Sequence, residues 1–170
     1  ATIAFNALNI GRYKLGAASV GGSKLAIREA IKYALDRRQF GQPIARFDAI
    51  IGKIADITVR TFVADTMLYR TVGMIQDAID DLDDKDPEYY IKMGEAMERF
   101  AIEASMAKVY GSETSDMVVD NCMQIFGGYG FIEEYSIAMA YRDDRINRIW
   151  EGTNEINRAI ISGYMMKKVL

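Results

Sequence analysis

Proline constrains this sequence most, because only two of its 170 residues are proline. Proline lacks a backbone donor and clashes with the preceding helical turn, so it interrupts helices. Pro43 and Pro87 therefore leave long stretches in which a helix can run unbroken. Within them apolar residues recur at three- and four-residue spacing, as at Phe47, Ile50 and Ile54, and no alternating pattern of useful strand length occurs. The sequence predicts an all-α fold.

The pattern predicts three long helices, from about 10 to 36, from about 47 to 79 and from 87 to about 126. Shorter helices are expected over 136–141 and 154–168. Short loops between helices favour antiparallel neighbours, so we predict an antiparallel, up-and-down helical bundle of about four helices plus a short C-terminal helix.

The first helix carries three glycines, Gly16, Gly21 and Gly22, each of which costs about 1 kcal/mol relative to Ala. Either the approach of a ligand to the backbone or a tight helix crossing would compensate, and the sequence leaves both open. The apolar side chains expected to face the core from the first two helices are Ile27, Ile31, Ala34, Leu35, Ile57, Phe62, Val72 and Ile75.

Several kinds of chemistry are excluded by composition. The chain has one cysteine, Cys122, and no histidine, so an intramolecular disulfide is impossible and Ser–His or Cys–His catalysis lacks its base. The acidic run 80–86 does not have calcium-loop spacing, and no metal site is predicted. A net charge of −3 gives no basic patch for nucleic acid. No apolar run approaches the roughly 20 residues of a membrane span.

One segment, 145–157, places a carboxylate between apolar residues and a helix start. Trp150 precedes Glu151, and a carboxylate beside a large ring loses hydration, which raises its pKa and suits it to act as a general base. Alternatively, Glu151 only places a negative charge at a helix N-terminus, where the helix dipole favours it.

Two further motifs are candidates for binding an anion. Asn9 and Arg12 lie three residues apart on one helix face and could grip a phosphate or an adenosine unit, or could form a solvated pair. Arg37 and Arg38, followed by Phe40, could offer guanidinium groups to a phosphate and a ring to a planar group. The alternative for the arginines is to complement the dipole at a helix C-terminus.

Three motifs, taken together in this order, closely resemble the acyl-CoA dehydrogenase family. They are residues 33–44 (YALDRRQFGQPI), 124–131 (QIFGGYGF) and 141–156 (YRDDRINRIWEGTNEI). The resemblance covers essentially the whole of 1–170 and is to the C-terminal helical domain; the family's N-terminal helical domain and middle β-domain, which precede this region, are absent from the sequence.

The resemblance implies FAD-dependent formation of a double bond between Cα and Cβ of an acyl-CoA thioester, as in fatty acid β-oxidation. Glu151 stands where the family's catalytic Glu removes the α-proton while hydride passes from Cβ to flavin N5. Its backbone N–H would also polarise the substrate carbonyl.

The same resemblance implies binding residues. Those that match contacts with FAD are Arg37, Arg38, Gln39, Phe40, Gln124, Ile125, Phe126, Gly127, Gly128, Thr153, Asn154 and Glu155. The 124–128 stretch would meet FAD across a subunit interface. Asn9, Arg12 and Gly152 match contacts with the acyl-CoA substrate. Asp48 departs from the pattern, because many members have Gln there and an acidic group would repel a phosphate.

The partners implied are an electron-transferring flavoprotein and further copies of the chain in a homodimer or homotetramer. The location implied is the bacterial cytoplasm or the mitochondrial matrix. Two other functions stay open: an acyl-CoA oxidase or related flavin monooxygenase, and a non-catalytic helical assembly module.

Overall fold

In a computed structural model of the protein, the backbone is described for residues 2–169 and the side chains for residues 8–167. The described residues form six α-helices: α1 (Thr2–Asp36), α2 (Asp48–Asp80), α3 (Tyr89–Glu98), α4 (Ala101–Phe126), α5 (Ser136–Asp144) and α6 (Asn154–Val169). Two two-residue strands, β1 (Arg38–Gln39) and β2 (Gln42–Pro43), pair antiparallel in the link between α1 and α2. The predicted helical class is confirmed.

The observed helix ends agree with the predicted ones where a glycine or proline interrupts the helix, as near Pro43 and after Phe126. The expected start of the first helix near residue 10 is wrong, because residues 2–9 contain neither proline nor glycine and continue the helix. The expected single helix over 87–126 is also wrong. The regular helical hydrogen bonding is interrupted at Phe100, whose backbone N–H donates to the carbonyl of Met97, three residues earlier, at 3.2 Å; α4 begins at the next residue. No glycine or proline announces that break.

Helix α4 lies at the centre of the bundle and packs against α1, α2, α5 and α6. Its crossing with α1 is close, because a Cβ on Gly111 would lie 3.2 Å from the Cα of Gly16. The helix-crossing explanation therefore holds for Gly16. Gly21 and Gly22 have open space beside them and serve no such contact.

The core between these helices is built from small and branched apolar residues, including Ala30, Ala34, Ile57 and Val118. Cys122 is buried among them, and burial raises the pKa of its thiol to about 12. Spacing therefore identified much of the core, and the thiol stays protonated and unreactive.

Three residues expected in the core are exposed instead: Leu35, Phe62 and Val72. Spacing identifies the apolar stripe of a helix, but only a packed neighbour buries it, and no described residue covers this part of the stripe. None of the described helices is long and apolar enough to cross a membrane.

Candidate functional site

Glu151 lies in the turn that enters α6, and its backbone is unusual. Glu151 has a φ of 57° and Gly152 has a φ of 78°, so both adopt the left-handed conformation. Glycine does so freely, whereas a non-glycine residue there costs of order 1 kcal/mol or more and persists only when its surroundings hold it. The turn must therefore be supported from outside.

Two fully buried side chains, Asn157 and Lys108, support this turn. The Nδ2 of Asn157 donates to the carbonyl oxygens of Gly152 at 2.8 Å and Thr153 at 3.0 Å. The Nζ of Lys108, on α4, donates to the same Gly152 oxygen at 2.9 Å. The turn is thus fixed by one residue of the helix that follows it and one residue of the central helix.

Lys108 belongs to a buried polar network that joins α4 to α6. Its Nζ also donates to Oδ1 of Asn154 at 2.6 Å, and Nδ2 of Asn154 donates to Oγ of Ser112 and to Oε1 of Glu113. Burial lowers the pKa of Lys108 to about 8, the positive charge of Arg12 acts in the same direction, and Glu155 opposes both. The ammonium form therefore predominates near neutral pH.

The carboxylate of Glu151 lies against α1 at Gly11. A Cβ on Gly11 would sit 2.2 Å from Oε2 of Glu151, so only glycine leaves room for the carboxylate in this position. Glu151 is partly buried, while the ring of Trp150 is 51% exposed. Among the described residues, about half of Trp150 therefore stays open to solvent.

Asn9 and Arg12 share one face of α1, as predicted, but they are buried and not solvated. Nη1 of Arg12 donates to Oδ1 of Asn9 at 2.7 Å. Burial lowers the pKa of Arg12, and the negative charge of Glu151 opposes that shift. A guanidinium charge thus stands near the Glu151 carboxylate. The site on this side of the molecule comprises Gly11, Arg12, Lys108, Glu151 and Gly152.

A groove of about 680 Å3 lies at the other end of α1. The predicted cofactor residues that line it are Arg37, Gln39, Phe40, Ile125, Phe126, Gly127 and Gly128. The hairpin β1–β2 and the end of α4 therefore meet at one groove. Of the cofactor residues predicted from the first two motifs, two do not line it: Arg38 is exposed and donates to the carbonyl of Gly41 at 3.3 Å, and Gln124 lines a neighbouring cleft.

The groove is mainly aromatic and carries a cation. The ring of Tyr33 stacks on Phe126 with centroids 4.2 Å apart, and burial raises the pKa of Tyr33. The guanidinium of Arg37 lies 5.3 Å from the centroid of Tyr129. Phe40 is 92% exposed and has a φ of 51°. An aromatic wall with one guanidinium suits a planar, anionic ligand.

Thr153, Asn154 and Glu155 line a third, smaller cleft. Oγ1 of Thr153 accepts from the amide of Ile156 at 3.3 Å and caps α6. Hydrogen bonds from its own backbone and from Thr153 lower the pKa of Glu155. Because the side chain of Asn154 is buried and bonded internally, a cofactor could contact this residue only through its backbone.

Sequence reasoning missed three residues of the site: Gly11, Lys108 and Asn157. The sequence did contain a pattern that points to Lys108: Ser105, Lys108, Ser112 and Ser115 follow a 3-4-3 spacing. In the structure all four are buried on α4. A polar stripe at core spacing indicates a buried network.

Asp48, the residue that departs from the family pattern, is exposed in the first turn of α2, where the helix dipole favours an acidic residue.

Comparison with known proteins places this arrangement in context. A family model described as "Acyl-CoA dehydrogenase, C-terminal domain" matches residues 1–166. A "Probable acyl-CoA dehydrogenase" from Bacillus subtilis (strain 168) is 47% identical over 168 residues, which cover 99% of this chain and 28% of the relative. Subunit CarC of the caffeyl-CoA reductase–Etf complex of Acetobacterium woodii is 36% identical, over 97% of this chain and 38% of the subunit.

Among solved structures, an acyl-CoA dehydrogenase from Bacillus anthracis, complexed with FAD, matches with a TM-score of 0.95 and 48% identity. The match covers 98% of this chain and 29% of that one. This chain therefore spans well under half the length of the relatives that it matches.

Proposed function

This chain belongs to the acyl-CoA dehydrogenase family, as its C-terminal domain, and we propose that Glu151 is the general base that removes the α-proton of an acyl-CoA thioester in the complete protein. One observation carries the proposal: the Glu151 carboxylate is set against Gly11 by a left-handed turn that two buried donors hold. Strained backbone held in this way is typical of a functional position. A charge needed only at a helix start would not require it.

The chemistry needs a base in a fixed place, because a proton beside a thioester is weakly acidic and misplacement of the base lowers the rate. Glu151 would accept that proton on its carboxylate. Among the described residues, none accepts a hydrogen bond from the Glu151 backbone N–H, so this group would be available to donate to the thioester carbonyl. Arg12 and Asn9 would act beside the carboxylate, since their burial does not suit a surface clamp for phosphate.

The residues of the groove fit FAD. Arg37 supplies a charge for a diphosphate, the aromatic side chains supply a wall for a ring, and open space lies beside Gly127 and Gly128, so their backbone can approach a ligand. FAD, when bound, would accept the hydride that leaves Cβ of the substrate. We assign its adenosine-diphosphate half to this groove, with the cofactor coming from a neighbouring subunit of a homodimer or homotetramer.

The complete protein would act in fatty acid β-oxidation, in the bacterial cytoplasm or the mitochondrial matrix, and would pass electrons to an electron-transferring flavoprotein. The relation to a subunit of an Etf-containing complex supports that partner. Because other parts of the protein would complete both sites, the isolated chain is expected to bind FAD weakly and to turn over little.

The test is Glu151→Gln in the full-length protein, with Glu134→Gln as the control at an exposed carboxylate. Turnover of straight-chain acyl-CoAs is followed with a dye acceptor, and bound FAD is measured by absorbance. We expect kcat to fall by about 10²- to 10⁴-fold in Glu151→Gln, with FAD retained. Unchanged turnover would overturn the proposal in favour of an assembly module. Rapid reoxidation of the reduced protein by oxygen would instead indicate an oxidase or monooxygenase.

A further inference from the structure

We propose that Lys108 is a positioning residue for Glu151, acting through the carbonyl group of Gly152 and the side chain of Asn154. The inference deepens the proposed function and rests on the assignment of Glu151 as the base. Lys108 makes its hydrogen bonds to the turn and to the start of α6, not to the carboxylate itself.

Burial of Lys108 needs an explanation beyond packing. Its side chain is completely buried in the central helix, and moving an ammonium group out of water is unfavourable unless hydrogen bonds offset the lost hydration. A methionine of similar length would fill the same space without that cost. Both hydrogen bonds of the ammonium group end within three residues of Glu151. The unfavourable burial of this charged group is therefore best explained by its hydrogen bonds to the turn that carries Glu151.

Lys108 and Asn157 hold the turn in different ways. Asn157 belongs to α6, which follows the turn directly, so it would move together with the turn. Lys108 belongs to α4, so its bond at 2.9 Å ties the turn to a separate helix. Of these two contacts, only that of Lys108 ties the turn directly to another helix, whereas Asn157 acts through α6, which Asn154 in turn joins to α4.

The link extends through α4 to the other side of the site. Ala107, the neighbour of Lys108, packs on α1, where a Cβ on Gly16 would lie 3.0 Å from the Ala107 carbonyl oxygen. The same helix α1 carries Gly11, which borders the Glu151 carboxylate. The central helix thus holds both walls of the site, α1 by close packing and the turn through Lys108.

The charges around Lys108 fit this role. Glu113 on α4, Glu155 on α6 and Glu151 in the turn favour its ammonium form, while Arg12 on α1 and burial oppose it. Hydrogen bonds from a charged donor are stronger than neutral ones. The group can therefore hold a backbone conformation that costs free energy.

The experiment compares Lys108→Met with Lys53→Met in the FAD-loaded, full-length protein. Lys53 is the matched control, because its Nζ also bridges two helices by donating to Oδ1 of Asn121, at 3.0 Å, without contacting the turn. We expect kcat to fall by about 100-fold in Lys108→Met, while FAD content and KM for the fastest-reacting straight-chain acyl-CoA change by less than about threefold. Lys53→Met should retain kcat.

A second measurement does not depend on activity. Hydrogen exchange of peptides that cover 149–157 should be at least about tenfold faster in Lys108→Met than in the wild type, and unchanged in Lys53→Met. Should Lys108→Met not accumulate as folded protein, Lys108→Gln replaces it, with a smaller expected loss in kcat, of about tenfold, and the same exchange result.

The outcomes separate this inference from the proposed function. If Glu151→Gln abolishes turnover while the Lys108 variant keeps wild-type kcat and exchange, the role of Lys108 is overturned and the role of Glu151 stands. If Glu151→Gln is fully active, the base assignment fails first and the positioning role falls with it. Equal losses in the Lys108 and Lys53 variants would show a general packing effect and overturn the inference.

Discussion

Two turns in this molecule each contain a pair of residues with positive φ and are held by different means. Phe40 and Gly41 have φ of 51° and 84°, and Glu151 and Gly152 have φ of 57° and 78°. The first turn closes a hairpin whose own strands pair Gln39 with Gln42. The second is held by Lys108 and Asn157, which are both fully buried.

The difference separates local from tertiary support. A two-residue hairpin loop with two positive φ values is a type I′ turn, which the flanking strands stabilise by themselves. That turn leaves Phe40 almost fully exposed, available to a ligand or subunit outside this chain. The Glu151 turn depends on α4 and α6 and points its carboxylate inward, at Gly11. The hairpin turn exposes the side chain of Phe40, whereas the turn before α6 holds the side chain of Glu151 in one place.

Among the glycine and hairpin changes that compare the two turns, the largest effect should follow from Gly11→Ala, because the new Cβ would displace the Glu151 carboxylate, the flexible end of a side chain. We expect kcat of the full-length protein to fall by about 100-fold with little change in the free energy of unfolding. Gly22→Ala on the same helix, with open space beside it, is the control and should be active and slightly more stable. Full activity of Gly11→Ala would mean that the carboxylate does not act from this position.

Alanine at the two turn glycines compares their supports directly. In Gly152→Ala the alanine would have to adopt a left-handed conformation, and its Cβ would also lie only 3.2 Å from Nδ2 of Asn157. We therefore expect a loss of about 2 to 3 kcal/mol in the free energy of unfolding. Gly41→Ala meets no atom and should lose only about 1 kcal/mol. Urea unfolding measures both, and equal losses would contradict the difference in support.

The Glu151 turn should also carry a pH signature that the hairpin lacks. Burial lowers the pKa of Lys108 from 10.5 to about 8, so between these pH values the unfolded chain binds a proton that the folded chain does not. The contribution of Lys108 to the free energy of unfolding therefore rises with pH in this window, by about 1 kcal/mol per pH unit. As the pH rises from about 8 to 10.5, the wild type should therefore gain free energy of unfolding relative to Lys108→Met, as measured by urea unfolding at each pH. A difference between the two proteins that does not change with pH would show that the pKa of Lys108 is not lowered by folding.

The smallest effect is expected at the hairpin. Asparagine tolerates a positive φ better than phenylalanine and is preferred before glycine in type I′ turns, so Phe40→Asn should stabilise the chain by up to about 0.5 kcal/mol. In the full-length protein the same change should weaken FAD binding, measured by fluorescence titration. Unchanged affinity would remove Phe40 from the cofactor site.

The sequence brought together more of the residues that line the aromatic groove than of the residues that support Glu151. Arg37, Gln39 and Phe40 lie within one short stretch of the chain, and the glycines that end α4 are recognisable as a helix stop, so their motifs are local. The support of Glu151 joins Lys108 to residues 44 and 46 positions away. Periodicity reports which residues share a face and cannot report which distant residue that face meets.

By itself the sequence determined the helical class and the breaks near Pro43 and after Phe126, because spacing and breakers act within a few residues. It also made Glu151 the candidate base, through the adjacent Trp150 and the resemblance of 141–156 to a family motif. Only the tertiary structure decided that the third helix divides at Phe100, that Phe62 stays exposed, and that Lys108 reaches the turn beside Glu151. Burial and hydrogen bonding depend on partners brought together in space, and packing against α4 selects those partners.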